Sequence, residues 1–229
     1  MHKLISPLWV LFFILLSGLV LQAQTRIEVS TDPVSSGGGA AQYHYLFENE
    51  RFVTPRIEVS FSADGQGQFR FTRKEGGEIV NDLKVSTPVV SQVRALLDEL
   101  RFLESTESYQ HKKDFSHLGR VTISQSRDGR TRSASFNYTD NPTMNRLVEI
   151  FRGIATQETR VFEIETVRAT DPISTPGQLR MLENELHSKQ IADPQRLVAL
   201  LQEIKTDESV PLIARNHAER LLKEIKKGK

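Results

Sequence analysis

The residues of this chain that could take part in metal chemistry are concentrated in one long polar segment, Glu104–Leu118. The segment carries Tyr109, His111, Lys112, Lys113, Asp114 and His117. Imidazole and carboxylate groups are common zinc ligands, but this spacing matches no known ligand pattern, and two lysines beside them would repel a cation. Long segments without regular structure are often functional. We therefore predict that these six residues form a contact surface, with no metal site and no cofactor.

Nucleophilic catalysis has no recognisable motif in the sequence. The 229 residues contain no cysteine, no Gly-x-Ser-x-Gly elbow and no His-Glu-x-x-His pair. The glycine-rich stretch Asp64–Gly67 joins two predicted strands, so no helix N-terminus would aim at a phosphate there. We predict no catalytic residue. A hydrolase site built from residues distant in sequence stays open as the alternative.

The first 23 residues have the pattern of a secretory signal peptide. One lysine is followed by an almost wholly apolar run, Leu8–Leu21, and then by the small residue Ala23. The alternative is an uncleaved anchor, but the run is shorter than the ~20 apolar residues that a spanning helix needs. The pattern predicts a periplasmic or extracellular protein with no stable membrane span after cleavage.

Charge composition argues against one class of partner. The chain has 30 basic and 29 acidic residues, and Lys3 is the single charged residue of residues 1–23. The remaining chain is therefore balanced, with 29 residues of each sign. Because a nucleic-acid surface needs an excess of positive charge, we predict no nucleic-acid partner. We expect another envelope or secreted protein instead.

Residues 24–42 are rich in serine and glycine, and this composition predicts a flexible tether. Residues 43–168 then alternate between strand and helix patterns. The predicted strands are 43–48, 56–62, 68–73, 79–85, 119–126, 131–138 and 160–167. The predicted helices begin at Ser86-Thr87-Pro88 and Asn141-Pro142, where caps and prolines favour a helix start. This order predicts an α+β domain: an antiparallel sheet with two helices packed on one face.

The last part of the chain, residues 176–229, reads as a small all-helical appendage. Leucines recur at helical spacing in Gly177–Gln190, after Asp193-Pro194, and after Asp207–Ser209. Leu212 and Ile213 are expected inside the last helix, while Arg215 and His217 are expected on its solvated face. Residues 193–225 resemble one helical hairpin of the HEAT-repeat type. Since a single unit of that type cannot bury its own apolar face, it must pack on the rest of the protein.

The chain also resembles uncharacterised secreted proteins of environmental bacteria. The features that carry this resemblance are the export signal, the Gly/Ser-rich tether, FRF followed by LLDELRFL, and then a hairpin followed by FRGIA. Such proteins have no assigned activity, so the resemblance implies none here.

One short sequence, RIEVS, occurs twice, at Arg26–Ser30 and at Arg56–Ser60. The second copy is a predicted strand. The first copy offers the same pattern to an open sheet edge, as in strand addition, or is disordered as many chain starts are. From all these features we predict an exported, non-catalytic interaction or envelope-associated module.

Overall fold

The computed structural model describes residues 41–227 of the chain. In chain order, these residues form β1 (Gln42–Glu48), β2 (Arg56–Ser62), β3 (Gln66–Arg73), β4 (Gly77–Lys84), α1 (Thr87–Glu99), β5 (Arg120–Arg127), β6 (Arg130–Phe136), α2 (Pro142–Thr170), α3 (Thr175–His187), α4 (Val198–Thr206) and α5 (Leu212–Lys227). The predicted α+β class, with a sheet followed by a helical part, is confirmed.

The six strands form one antiparallel sheet in the order β4-β3-β2-β1-β5-β6. Three strands follow β1 outward on one side, and the β5–β6 hairpin lies on its other side. Asp128 and Gly129 have φ values of 53° and 73° in the turn of that hairpin, as a two-residue hairpin loop with positive φ requires. The second RIEVS copy is the interior strand β2. The first copy lies outside the described residues, as do the signal segment and nearly all of the tether.

Strict alternation along the strands gives the sheet one apolar and one polar face. Tyr43 and Tyr45 are buried under the helices, whereas His44 between them lies on the opposite, open face. The apolar face packs on α1 and on the first half of α2. The largest buried side chains of this first core are Tyr43, Tyr45, Phe61, Phe69, Phe71, Phe102 and Phe151.

The predicted strand 160–167 is wrong, because these residues belong to α2. This helix runs for 29 residues without interruption. The sequence between Ala155 and Arg160 contains no glycine or proline that would end a helix. The apparent alternation around Phe162 and Ile164 is also compatible with helical spacing, and Ile164 is fully buried among helices.

The second half of α2 carries the chain into a second core. This core contains Ile164, Leu179, Leu182, Leu197, Leu201, Ile204, Val210, Leu221, Leu222 and Ile225. One continuous helix thus contributes to both cores. The prediction for α5 is wrong at three residues. Leu212 and Ile213 are 62% and 66% exposed, and His217 is buried. All three differences follow from the rotation of the helix, whose buried stripe is centred on Ala214, Ala218 and Leu221.

Candidate functional site

The six residues predicted to form a contact surface have two different environments. Tyr109 is 4% exposed and belongs to the first core, where its ring stacks near Phe102 and under the Arg132 guanidinium. Its role is therefore to anchor the segment. Lys112, Lys113, Asp114 and His117 are exposed, as a contact surface requires.

Hydrogen bonds to both ring nitrogens fix the orientation of His111. Its Nδ1 accepts a bond from the Lys113 backbone N–H at 2.9 Å, so Nε2 carries the proton and faces Asp140 Oδ2 at 3.1 Å. The His111 ring also lies 5.4 Å from the rings of Phe115 and Tyr138. Because both ring nitrogens have polar partners, His111 stabilises the conformation of the segment.

The structure does not bring the other predicted residues together into a binding site. Asp114 accepts a hydrogen bond from Asn137, and the His117 carbonyl accepts one from Asn49. Within residues 41–227, no group of three or more His, Asp or Glu side chains is arranged to hold a metal ion. The segment thus presents separate exposed side chains on an ordered backbone.

A large cleft lies at the end of the sheet where β1 turns into β2. Its volume is about 1170 Å³, and its walls are the β1–β2 loop, one side of α2, and the turn that follows α3. Leu118, the last residue of the predicted contact segment, also lines it. The cleft is thus formed by four parts of the chain that are distant in sequence.

The floor of the cleft is mainly apolar. Tyr45 and Phe47 of β1 contribute aromatic rings, and Gly153 and Ala155 of α2 present little side chain. Burial raises the pKa of the Tyr45 hydroxyl despite the nearby Arg152 guanidinium, so the hydroxyl stays neutral. Gly153 allows the backbone at Ala192 to pack closely against α2, because a Cβ at position 153 would lie 3.2 Å from the Ala192 nitrogen.

Exposed apolar side chains form the rim of the cleft. Phe52 and Val53, at the tip of the β1–β2 loop, are 47% and 79% exposed, and Leu118 is 42% exposed. Phe52 is supported by the Phe47 ring, with a centroid distance of 5.7 Å. Large apolar groups gathered at the mouth of a cleft mark interaction sites more often than isolated ones do.

Positive charge predominates around this rim. Arg51, Arg152 and Lys189 are exposed there, against one exposed carboxylate, Glu149. Two further charges, Arg160 and Glu185, neutralise each other through bonds of 2.6 and 2.9 Å. The cleft therefore attracts groups that carry negative charge.

Lys189 has an unusual backbone conformation. Its φ of 57° lies in the left-handed region, where glycine is favoured and other residues are strained by about 1 kcal/mol or more. Lys189 therefore lines the cleft at a helix C-terminus where glycine is favoured. Two backbone hydrogen bonds close this end of α3, from the Lys189 N–H to the Leu186 carbonyl and from the Gln190 N–H to the Glu185 carbonyl, so this conformation terminates the helix.

The cleft could not be identified from the motifs considered above. The relevant signal was the apolar pair Phe52-Val53 within the otherwise polar turn Glu48–Thr54, because turns between strands rarely expose such residues without a reason. The walls formed by α2 and α3 could not be predicted, because residues 160–167 were assigned to a strand and not to α2.

Three other groups with shifted pKa values lie away from the cleft. On the open sheet face, hydrogen bonds from His44 and Arg56 lower the pKa of the Glu58 carboxyl to about 2. Burial raises the pKa of Glu158, although Arg196 Nη1 lies 2.9 Å from its carboxylate. Burial also lowers the pKa of His217. Glu58 and Glu158 are paired with cations, and His217 Nε2 lies 3.2 Å from Glu183 Oε2. Two further carboxylates, Asp64 and Asp207, accept hydrogen bonds from the Ser62 and Ser209 hydroxyls, which lower their pKa values. Neither serine hydroxyl is hydrogen-bonded to a histidine in the described contacts.

Among residues 41–227, no helix is long and apolar enough to cross a membrane. Searches with family models and among curated proteins found no match to this chain.

Proposed function

We propose that this chain is an exported, non-catalytic binding module whose cleft holds an extended segment of another envelope or secreted protein. The observation that carries the proposal is the cleft of about 1170 Å³ with an apolar floor and a rim of exposed Phe52, Val53 and Leu118. Its volume exceeds the ~300–1000 Å³ of typical small-molecule pockets. An open cleft of this size suits a polypeptide segment.

The charge of the rim defines the chemistry of that segment. Three exposed cations face one exposed carboxylate. The complementary ligand has an apolar side chain for the floor and aspartate or glutamate residues on either side of it. Such charges would speed association and orient the segment, while the apolar anchor would supply most of the binding free energy.

The test uses two pools of fluorescent peptides with a central leucine or phenylalanine, one flanked by acidic residues and one by lysines. We expect the acidic pool to bind, and V53S and R152E each to weaken binding by about tenfold, or ~1.4 kcal/mol. The matched controls are I173S, since Ile173 is also 79% exposed, and R146E, since Arg146 is an exposed arginine on the same helix. Both controls should bind as the parent does.

Other outcomes would contradict the proposal. Equal binding of both pools, or equal effects of the control variants, would remove the cleft as the site. Binding to anionic lipid vesicles in place of peptides would identify an envelope lipid as the ligand. Cleavage of the bound peptides would favour the alternative, a hydrolase with a site that no motif reveals.

Export is tested separately. N-terminal sequencing of the protein from cell fractions should give a chain that begins near Gln24. An intact Met1 in the membrane fraction would instead identify residues 1–23 as an anchor.

A further inference from the structure

The outer edge of β4 is a second candidate interaction surface, and it is independent of the cleft. β4 is a terminal strand of eight residues. Gly77, Glu78, Val80, Asp82 and Lys84 are all exposed along it. A terminal strand of this length leaves a row of backbone donors and acceptors available for pairing.

Hydrogen bonding to β3 determines which backbone groups of β4 point outward. The Val85 N–H donates to the Gly65 carbonyl at 2.8 Å, in register with the β3–β4 pairs. Because the direction alternates along an antiparallel strand, Leu83, Asn81 and Ile79 also bond toward β3. The N–H and C=O groups of Glu78, Val80, Asp82 and Lys84 therefore face the open edge.

We propose that two copies of this chain pair through their β4 edges, antiparallel and centred on Asn81, to form one continuous sheet of twelve strands. In this register Glu78 lies opposite Lys84 of the second copy, and Val80 lies opposite Asp82 of the second copy. Each of these pairs occurs twice around the two-fold axis. All four outward-facing residues then exchange hydrogen bonds with the second copy.

Charge complementarity selects this register over its neighbour. Directly opposed residues have their side chains on the same face of the sheet, so the two-fold axis must pass through a residue position and not between two residues. Val80 and Asn81 are the two residues at the middle of β4. Centring on Val80 would place Glu78 opposite Asp82 of the second copy, which brings like charges together twice. Centring on Asn81 replaces both repulsions with Glu78–Lys84 attractions and adds a further hydrogen-bonded pair.

One apolar side chain of each copy also gains cover. Ile79 is partly buried against the first core, and in this register it faces Leu83 of the second copy on the helix side of the sheet. Pairing along one strand buries less than the ~1600 Å² of a standard interface. We therefore expect a dimer whose population rises with protein concentration in the micromolar range.

The experiment is sedimentation velocity on the purified protein over a range of concentrations, with charge-swap variants. E78K and K84E should each raise the dimer dissociation constant by about tenfold or more, because each brings like charges together twice. The double variant E78K/K84E should restore dimerisation, and so should an equimolar mixture of the two single variants. This rescue distinguishes pairing from a loss of folding.

V80P and S133P are matched controls for the edge itself. Both replace an exposed residue on the open face of a terminal strand, and both residues point their N–H away from the sheet, so the internal ladders are retained. V80P should abolish dimerisation, and S133P on β6 should leave it unchanged.

Disulfide formation tests the register directly, because the chain has no cysteine of its own. Two Asn81 residues would face each other at a Cα separation of about 4.5 Å, within the range for a disulfide. N81C should therefore form a covalent dimer on mild oxidation, whereas V80C, with its two Cα atoms about 7–8 Å apart, should not.

Several results would overturn the proposal. These are a parent protein that stays monomeric at every concentration reached, an equal loss with S133P, or no rescue by mixing E78K with K84E. Stronger dimerisation of E78K would place Glu78 opposite Asp82 of the second copy and overturn the register.

Discussion

The two terminal strands of the sheet meet very different surroundings. Along β6, residues 102–109 run beside the strand, and Arg132 donates hydrogen bonds of 2.6 and 2.7 Å to the carbonyls of Phe102 and Glu107. Along β4, the outward backbone groups have neither a strand nor such a side-chain bridge beside them in the described part of the chain.

This difference shows how the protein manages an edge without covering it by another strand. Arg132 lies across the rings of Phe102 and Tyr109, at 4.6 and 5.4 Å, and so joins strand, core and segment. The groove that remains beside β6, of about 500 Å³, is spanned by this side chain. An added strand would have to displace it, whereas no side chain among residues 41–227 forms such a bridge along β4.

The largest expected effect follows from removing that bridge. R132A should lower the free energy of unfolding by about 2–3 kcal/mol, because it removes two hydrogen bonds from a charged donor and two cation–π contacts. Urea denaturation measures this change. R70A is the control, since the Arg70 guanidinium lies on the open face and reaches Glu78 at 4.0 Å.

R132K separates charge from shape. A lysine keeps the positive charge but cannot donate the two parallel bonds of a guanidinium, so we expect about half of the loss to remain. If R132A and R70A shifted the denaturation midpoint equally, Arg132 would not close the edge.

The second-largest change in the free energy of unfolding is expected at Glu58, on the interior strand β2. His44 Nε2 lies 3.0 Å from its carboxylate, and the pKa of Glu58 falls from the ordinary 4.5 to about 2. Because the unfolded chain then binds a proton more readily, the stabilisation is complete above about pH 5 and is lost as the pH falls through 4.5 toward 2. E58Q should cost about 1–2 kcal/mol at pH 7, after allowance for solvent screening.

Acid titration of stability measures the Glu58 effect. The parent and E58Q should differ at pH 7 and converge toward pH 2. A difference that stayed constant over this range would show that the effect of the substitution is not electrostatic.

The smallest effect is expected at the ion pair that also spans the β6 groove. Arg130 Nη1 lies 2.9 Å from Glu104 Oε1, but both side chains are more than half exposed. E104A should therefore change the free energy of unfolding by less than about 0.5 kcal/mol. A loss as large as that of R132A would show that the ion pair closes the edge.

Much of the fold could be predicted because its signals are local. Alternation located all six strands, turn residues located the hairpins, and Asn141 caps α2 by accepting a bond from the Met144 N–H at 2.9 Å. The strand predicted at 160–167 failed because a short amphipathic window satisfies both periods. The absence of a helix breaker before Arg160 was the signal that could have decided it.

The candidate site was less predictable, because it depends on contacts between distant parts of the chain. The sequence indicated that residues 104–118 were unusual, but not that Tyr109 would be buried under Arg132. The burial of His217 likewise depends on the rotation of α5.

The most direct test of the contrast between the edges is amide hydrogen exchange followed residue by residue at low and high protein concentration. If the β4 edges pair, the amides of Glu78, Val80, Asp82 and Lys84 exchange more slowly as protein concentration rises. The outward amides of Thr131, Ser133 and Ser135 should show no such change. Equal concentration dependence at both edges, or none at β4, would contradict this pairing.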